Sequence, residues 1–599
     1  MALTPSQEAA VLYDRHLILF AGPGSGKTAT SVAKGVRILS MPDSKLCMVT
    51  FTTAGAGEMK ERMAASFTKQ GTQLPTQRLT TGTFHALMLR HFQRHGNSTK
   101  KLLSPPARSG MLNSMLSHLE AAERSEYTLA LERYQGSLHP EQTVIQTLSP
   151  GPAAFIEDYY RRLKSINAID LAGVMRECVV GMETGAIPLF SLSHLIGDEM
   201  QDADQIQLQF MLVHAKAGVI TTLVGDDDQT IYEWRSALGY EGLMHFAKAT
   251  GAKTITLAEN FRSRSEIVSH AQLVISHNNP ERIDKSPKAI RGPGGVLGVT
   301  TAADVKQECA NIAHALYRYR KPGETSAVLA RSNMDLMLME QALSSHMDDD
   351  GTTSPIDYKR DGQSIWQTPE VASLICLLQA LIRGQTTDLM PALSLLNLHV
   401  TSRAKLEHAL GANCGGFLDG HNPAGFEPRS ADEGNAIQEF TRLTTTLRRH
   451  LRNGEIPFAL NGASEFMKAA LKAQPRSRPK QIENLVETAH SVLSKFNGPL
   501  SQRLAAISRL QEKEAEAESV RLMTMHSSKG LEFDLVFMLN CGDQDNGSTL
   551  FDPHPERRLF YVGMTRAKNR LVVSYSGKPV RFIAESGIPP HHSIESILA

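Results

Sequence analysis

The chain has 599 residues, 41% of them hydrophobic and 21% charged, with 63 Lys and Arg against 62 Asp and Glu for a net charge of +1. This composition excludes a disordered or fibrous chain, and the length exceeds what one hydrophobic core serves, so about four domains of roughly 100 to 200 residues are expected. With charge so evenly balanced, a nucleic-acid site must be a local patch and not a global property. The six cysteines, Cys47, Cys178, Cys309, Cys376, Cys414 and Cys541, are scattered without a CxxC pair. That spacing argues against a disulfide framework, zinc or an iron-sulfur cluster, and for a reducing, cytosolic compartment. The opening "MALTPSQEAAVLYDRH" has no basic region leading into an apolar run, and no uninterrupted 18-residue apolar segment follows, so neither secretion nor a membrane span is expected.

In chain order, short apolar runs ending in glycine or polar residues occur at "LILFAGPG", "KLCMVTFT", "HLIGDE" and "VITTLVGDD", then at "TSAVLARSN", "DLVFMLN" and "LVVSY". Alternating with helical patterns, they predict an α/β protein with parallel strands. The first four precede residue 226 and the last three follow residue 325, which suggests two α/β domains with a nucleotide cleft between them. Two long stretches without strand signal, about 93–189 and 384–516, read as mainly helical inserts. The α/β domains then comprise 1–92 with 190–270, and 271–383 with 517–599. Basic clusters at 100–101, 159–164, 447–452 and 472–480 fall inside the inserts. Taken singly, such clusters read first as solvated helix faces.

The first strand runs into Ala21, Gly22, Pro23, Gly24, Ser25, Gly26, Lys27 and Thr28 and then a helix start. This is G-x-x-x-x-G-K-[ST] with alanine in the first place. Glycines let backbone N–H groups approach phosphate oxygens, Lys27 suits the β- and γ-phosphates of ATP, and the Thr28 hydroxyl suits Mg²⁺. The strand "HLIG" ends in Asp198 and Glu199. Asp198 is placed to hold the metal and Glu199 to orient and deprotonate the attacking water. Further on, "VGDDDQTIYEWRSA" mixes three aspartates with Tyr232 and Trp234, so one stretch carries groups suited to nucleotide and groups suited to stacked bases.

These motifs, with "LTPSQEAAV", "VTFTTAGAGEMKERM", "TGTFHALMLRHF", "GDEMQDADQIQ", "LAENFRS", "VRLMTMHSSKGLEFDLVF" and "ERRLFYVGMTRAKNRL", resemble in order those of superfamily 1A DNA helicases of the UvrD/Rep/PcrA type. The resemblance implies two RecA-like motor domains, 1A and 2A, each interrupted by an accessory insert, 1B (93–189) and 2B (384–516). It implies that Gln7 reads adenine, Phe261 stacks on it and Glu532 contacts the ribose. Gln229 senses the γ-phosphate or the attacking water, and Arg262 and Arg566 are the arginines that neutralise charge in the transition state. Phe51, Thr53, Phe84, His85, Tyr232, Trp234, His526 and Lys529 fall in motifs resembling the family's strand contacts. Departures from the family pattern are Ala21, Ala29 in place of an arginine, and Thr53-Ala54 in place of asparagine and lysine. The implied activity is ATP-dependent 3′-to-5′ translocation on single-stranded DNA with duplex unwinding. The competing reading is a protein-displacing translocase or loading factor that unwinds weakly by itself. Implied partners are single-stranded DNA, single-strand/duplex junctions and proteins of replication, repair or defence, in a bacterial, plasmid or phage cytoplasm.

Overall fold

The apolar run "LILFA" forms β1 (Leu17–Ala21), buried along its whole length. Leu17, Leu19 and Ala21 pack into a core with Val36, Ile38, Met59 and Met63, whereas Ile18 and Phe20 pack on the opposite side with Phe84, Met88, Phe210 and Met211. Successive strand residues point to opposite faces, so a strand apolar at every position is one covered by helices on both sides. A computed structural model describes the chain except residues 1–2, 97–98, 117–118, 140–143, 233–235, 281, 349, 351–353, 363, 397, 475–478, 497, 513–518 and 544–552. Trp234 therefore lies outside the described residues.

The chain divides into two units, Met1–Gly295 with Ser548–Thr565 and Glu585–Gly587, and Val296–Gly547 with Arg566–Ala584 and Ile588–Ala599. In the first unit β1 is followed by β2 (Leu46–Thr50), β3 (Leu79–Thr83), a short pair β4 (Lys101–Leu102) and β5 (Ala168–Ile169), then β6 (His194–Gly197), β7 (Ile220–Gly225) and β8 (Lys253–Leu257). A second short pair, β9 (Glu259–Asn260) and β10 (Lys288–Ala289), follows. The main sheet has the order β3-β2-β6-β7-β1-β8, every neighbour parallel. Helices α1 (Pro5–Leu12), α2 (Lys27–Ser40), α3 (Thr53–Lys69) and α4 (Phe84–His95) flank it. Between β3 and β6 lies a helical insert whose own core centres on Leu131, Phe155, Ile156, Tyr159 and Leu163.

The second unit holds β11 (Val296–Ala302), β12 (Ser326–Ala330), β13 (Tyr358–Arg360), β14 (Val520–Thr524), β15 (Phe533–Leu539) and β16 (Ala567–Ser576). They form a parallel sheet in the order β11-β16-β15-β12-β14-β13. The helices between β13 and β14, from Pro369–Arg383 to Leu500–Glu512, share a separate core around Leu374, Leu378, Phe440, Leu460 and Val486. Trp366 joins that core at 4% exposure, and its indole N–H donates to the Tyr358 hydroxyl at 3.3 Å.

All seven sequence-predicted strands are present, and five more complete the two sheets. Four of the five, β3, β8, β11 and β13, are the sheet edges. Edge strands are covered less completely, so "LTTGT" and "KTITL" lack the continuous apolar signature of interior parallel strands. In the basic clusters Arg161 and Arg162 pair with Asp158, and Arg448 and Arg452 with Asp419, whereas residues 475–478 of the last cluster lie outside the described residues. All six cysteines are free thiols, and among the described residues no helix is long and apolar enough to cross a membrane.

One buried group gives the first unit a pH dependence. His214, fully buried, bonds the Phe210 carbonyl through Nδ1 at 2.8 Å, and its Nε2 accepts the Phe190 N–H at 3.2 Å. Burial pushes its pKa down from 6.5 to about 4. The unfolded chain takes up this proton as pH falls through 6.5 and the folded chain only near 4, so stability present at neutral pH is lost across that window. The expected loss is about 2 kcal/mol between pH 7 and 5. Urea unfolding of wild type and His214→Gln at both pH values checks it, and an equal pH slope in the two proteins would refute the assignment.

Candidate nucleotide site

The strand order brings β6, β7 and β1 side by side, so the loops after their C-terminal ends converge. Ligand crevices of parallel α/β sheets form at those ends. The loop after β1 is tightly turned: Gly24 and Gly26 have φ of +68° and +81°. A Cβ on Gly24 would stand 2.5 Å from that of Arg262, and one on Gly26 would stand 2.7 Å from Gln7 Nε2. Gly24 thus requires glycine for space as well as for conformation, and Gly26 for its left-handed backbone. Gly26 caps α2, so the loop's amides and the positive end of the helix serve the same small volume.

Two side chains hold this loop from outside. Gln7 donates from Nε2 to the Ser25 carbonyl at 3.0 Å while its Oε1 accepts the Thr4 N–H at 3.0 Å. Asn260 donates to the Pro23 carbonyl at 2.8 Å, and its Oδ1 accepts the N–H groups of Arg262 and Ser263 at 3.0 and 2.9 Å. The Phe261 N–H donates to the Gly24 carbonyl at 2.8 Å, which sets Phe261 and Arg262 beside the loop. Arg262 also donates from Nη1 to the Thr565 carbonyl at 3.2 Å.

Lys27 Nζ lies 4.0 Å from Glu199 Oε2 and 4.0 Å from Asp226 Oδ2, joining the loops after β1, β6 and β7. Glu199 adopts a left-handed backbone, φ +56°, unusual for a residue with a side chain and a conformation that concentrates at functional sites. Gln201 links two of these loops: its Nε2 donates to Glu199 Oε2 at 2.6 Å, and its Oε1 accepts the Asp226 N–H at 3.0 Å. Gln229, 3% exposed, donates to Asp226 Oδ2. Burial, and secondarily the neighbouring Glu199 charge, push the Asp198 carboxyl up to about 7. Asp198 is therefore short of positive charge despite Lys27, and hard oxygen donors with such a deficit suit a divalent cation.

Comparison with known proteins matches residues 3–248 to the UvrD/REP helicase N-terminal domain and residues 255–402 and 431–578 to the UvrD-like helicase C-terminal domain. The chain belongs to the UvrD/Rep helicase family. It is similar to DNA helicase II of Escherichia coli, with 26% identity over 100% of this chain and 88% of that protein. It is likewise similar to ATP-dependent DNA helicase Rep of Escherichia coli, at 24% identity over 95% of this chain and 90% of the relative. ATP-dependent DNA helicase UvrD1 of Mycobacterium tuberculosis is 26% identical over 96% of this chain and 82% of its own. The protein is an ATP-dependent DNA helicase, and binding of ATP and of DNA follows from that membership.

Within this UvrD/Rep-family helicase, the sequence-predicted strand contacts fall into different surroundings. Phe51 and Tyr232 are half-buried and Thr53 and His85 are exposed. Phe84 corrects the expectation: it is 1% exposed and packs edge-on against Phe210, so its ring fills the core and offers no face to a base. The reason is its place as first residue of α4, which turns the ring beneath the sheet while the adjacent His85 points outward. In the second unit His526 and Lys529 are half-buried and Glu532 is exposed. There Arg566 is 1% exposed and donates to the Leu531 carbonyl at 3.1 Å, which brings "MTRAK" to the loop carrying Glu532.

Four residues at or beside the candidate nucleotide site of the first unit went unrecognised in the sequence. Asn260 and Gln201 lie inside the quoted motifs "LAENFRS" and "GDEMQD", where their offset from the charged residues was the available signal. Arg282 and Lys285, in "NPERIDKSPK", have no local pattern at all. Yet the Lys285 ammonium contacts Asp226, Asp227 and Asp228 at 3.1, 2.6 and 2.7 Å.

Proposed function

We propose that this helicase translocates 3′ to 5′ along single-stranded DNA and separates duplex ahead of it, driven by ATP·Mg²⁺ hydrolysis at the site built on β1, β6 and β7. The observation that supports this reading most is the position of Lys27, equidistant from Glu199 and Asp226. The phosphate-binding cation thereby meets both the pair proposed for hydrolysis and the stretch whose continuation carries Tyr232 and Trp234. In this reading the loop Ala21–Thr28 cradles the phosphates. Thr28 and Asp198 hold Mg²⁺, whose charge would screen the phosphate oxygens. Glu199 orients and deprotonates water, and Gln229 reports the γ-phosphate. Gln7 keeps one amide hydrogen and one lone pair beyond the bonds described, the complement an adenine edge needs. Phe261 stacks on the base, and Arg262, Arg566 and Glu532 take the roles that the family motifs give them. Phe51, Thr53, His85, Tyr232, Trp234, His526 and Lys529 form the strand contacts, and the helical inserts are accessory domains 1B and 2B. Stacking worth about 1 to 3 kcal/mol per base gives sequence-tolerant grip.

The test is unwinding of partial duplexes with a 3′ tail, a 5′ tail or neither, alongside displacement of a protein block from the same DNA. Unwinding confined to the 3′-tailed duplex is expected. Efficient unwinding from the 5′ tail would overturn the polarity, and block displacement without unwinding would make the protein a translocase or loading factor.

A further inference from the structure

Three consecutive buried carboxylates, Asp226, Asp227 and Asp228, are brought within reach of a single cation. Their oxygens converge as a divalent-metal site would, but the volume is taken by the Lys285 ammonium, itself 3% exposed. Arg282 is the second cation of the cluster, donating from Nε and Nη2 to the two oxygens of Asp228 at 2.7 and 2.8 Å. The Ile283 N–H donates to Asp227 Oδ2 at 2.7 Å, and Lys285 Nζ donates to the Ile283 carbonyl at 3.3 Å. A buried cluster of this kind holds only while each carboxylate keeps its partner, because an uncompensated buried charge is strongly unfavourable.

Asp226 differs from its two neighbours in facing Lys27 as its second cation. Its Oδ1 meets Lys285 at 3.1 Å, while its Oδ2 accepts Gln229 Nε2 and lies 4.0 Å from Lys27. The Lys285 stem also runs beside the phosphate loop, 3.8 Å from where a Cβ on Gly22 would be. The closer cation has the stronger hold on the carboxylate. Without it, Asp226 would be neutralised by the ammonium that remains in reach among the described residues, that of Lys27.

We propose that Lys285 is a positioning residue for ATP hydrolysis: by satisfying Asp226 it leaves Lys27 to the nucleotide phosphates and keeps Asp226 as the fixed acceptor that orients Gln229. This rests on the phosphate role of Lys27 given above. Lys285→Met lets Asp226 capture Lys27, so ATP binding weakens. Removing the competing carboxylate as well, in Lys285→Met/Asp226→Asn, releases Lys27 again.

The full-length wild type, Lys285→Met, the double variant and Lys27→Ala are compared by binding of a fluorescent ATP analogue and by the KM and kcat of ATP hydrolysis with oligo(dT). Lys285→Met is expected to raise the Kd and KM about tenfold or more, as loss of one partner of a buried charge pair does. The double variant should regain most of that affinity. Unchanged KM in Lys285→Met, or a double variant no better than the single, overturns the proposal, as does equal rescue by Lys285→Met/Asp227→Asn, which removes the same buried charge without releasing Lys27. Should Lys285→Met show no cooperative melting transition, the double variant, which restores the balance of buried charge, is read directly against wild type. Near-wild-type affinity then supports the proposal, and weak affinity or failure to fold overturns it. Wild-type hydrolysis by Lys27→Ala would instead sink the role of Lys27, so the two failures are distinguishable.

Discussion

Replacement of Lys27 by alanine is expected to lower ATP hydrolysis by about 10²- to 10³-fold, the cost of removing one preorganised charge from a phosphoryl-transfer site. Lys27 sits at the first position of α2 with its ammonium 4.0 Å from carboxylates on two different loops, so its removal takes away the cation that joins Glu199 to Asp226. Asp226 keeps Lys285, its closer cation, at 3.1 Å. The variant is therefore expected to fold with an unfolding midpoint close to wild type and to bind single-stranded DNA normally, since Phe51, His85 and Tyr232 are untouched. ATPase assays and fluorescence anisotropy with labelled oligo(dT) check the two halves of this result separately. Vigorous hydrolysis by the variant would remove the phosphate loop from the mechanism.

Glu199→Gln is expected to lower kcat by about 10²- to 10⁴-fold, the range supplied by a positioned general base, with little change in nucleotide affinity. The substitution keeps the shape of the side chain and an oxygen able to accept the Gln201 amide that now bonds Glu199 at 2.6 Å. What it removes is the ability to take a proton from water. Single-turnover hydrolysis against nucleotide-binding affinity separates these effects, and loss of affinity in parallel with loss of turnover would show that Glu199 serves binding instead. The variant should accumulate in its ATP-bound form, which makes DNA affinity in that state directly measurable.

Much of this molecule could be read from the linear sequence because the chemistry is packed into short stretches. The phosphate loop needs its glycines and Lys27 at fixed offsets from the end of a buried strand, and β1 shows the apolar run that places them there. Asp198 and Glu199 follow β6 in the same manner, and both helical inserts were visible as long tracts without strand signal. Reading failed where environment, not residue type, carried the information. "LTTGT" is a strand because it pairs with β2, not because it is apolar. Phe84 and His85 are adjacent and equally suited to a base by composition, but one lies in the core and the other on the surface. The aspartates of "VGDDDQ" are plain in the sequence, but their cation is a lysine about sixty residues further along the chain.

By itself, then, the sequence determined the parallel α/β architecture and the helicase family, and it supplied the candidates proposed for phosphate and metal, since each depends on spacings within a dozen positions. Only the tertiary structure decided how the buried charge is neutralised: the segment after Asn278 folds back so that Arg282 and Lys285 meet Asp226, Asp227 and Asp228, and Gln201 ties Glu199 to the same loop. Charge compensation is a requirement of the desolvated interior and acts over distance in space, so a one-dimensional pattern records that a carboxylate is present but not which cation will be folded against it.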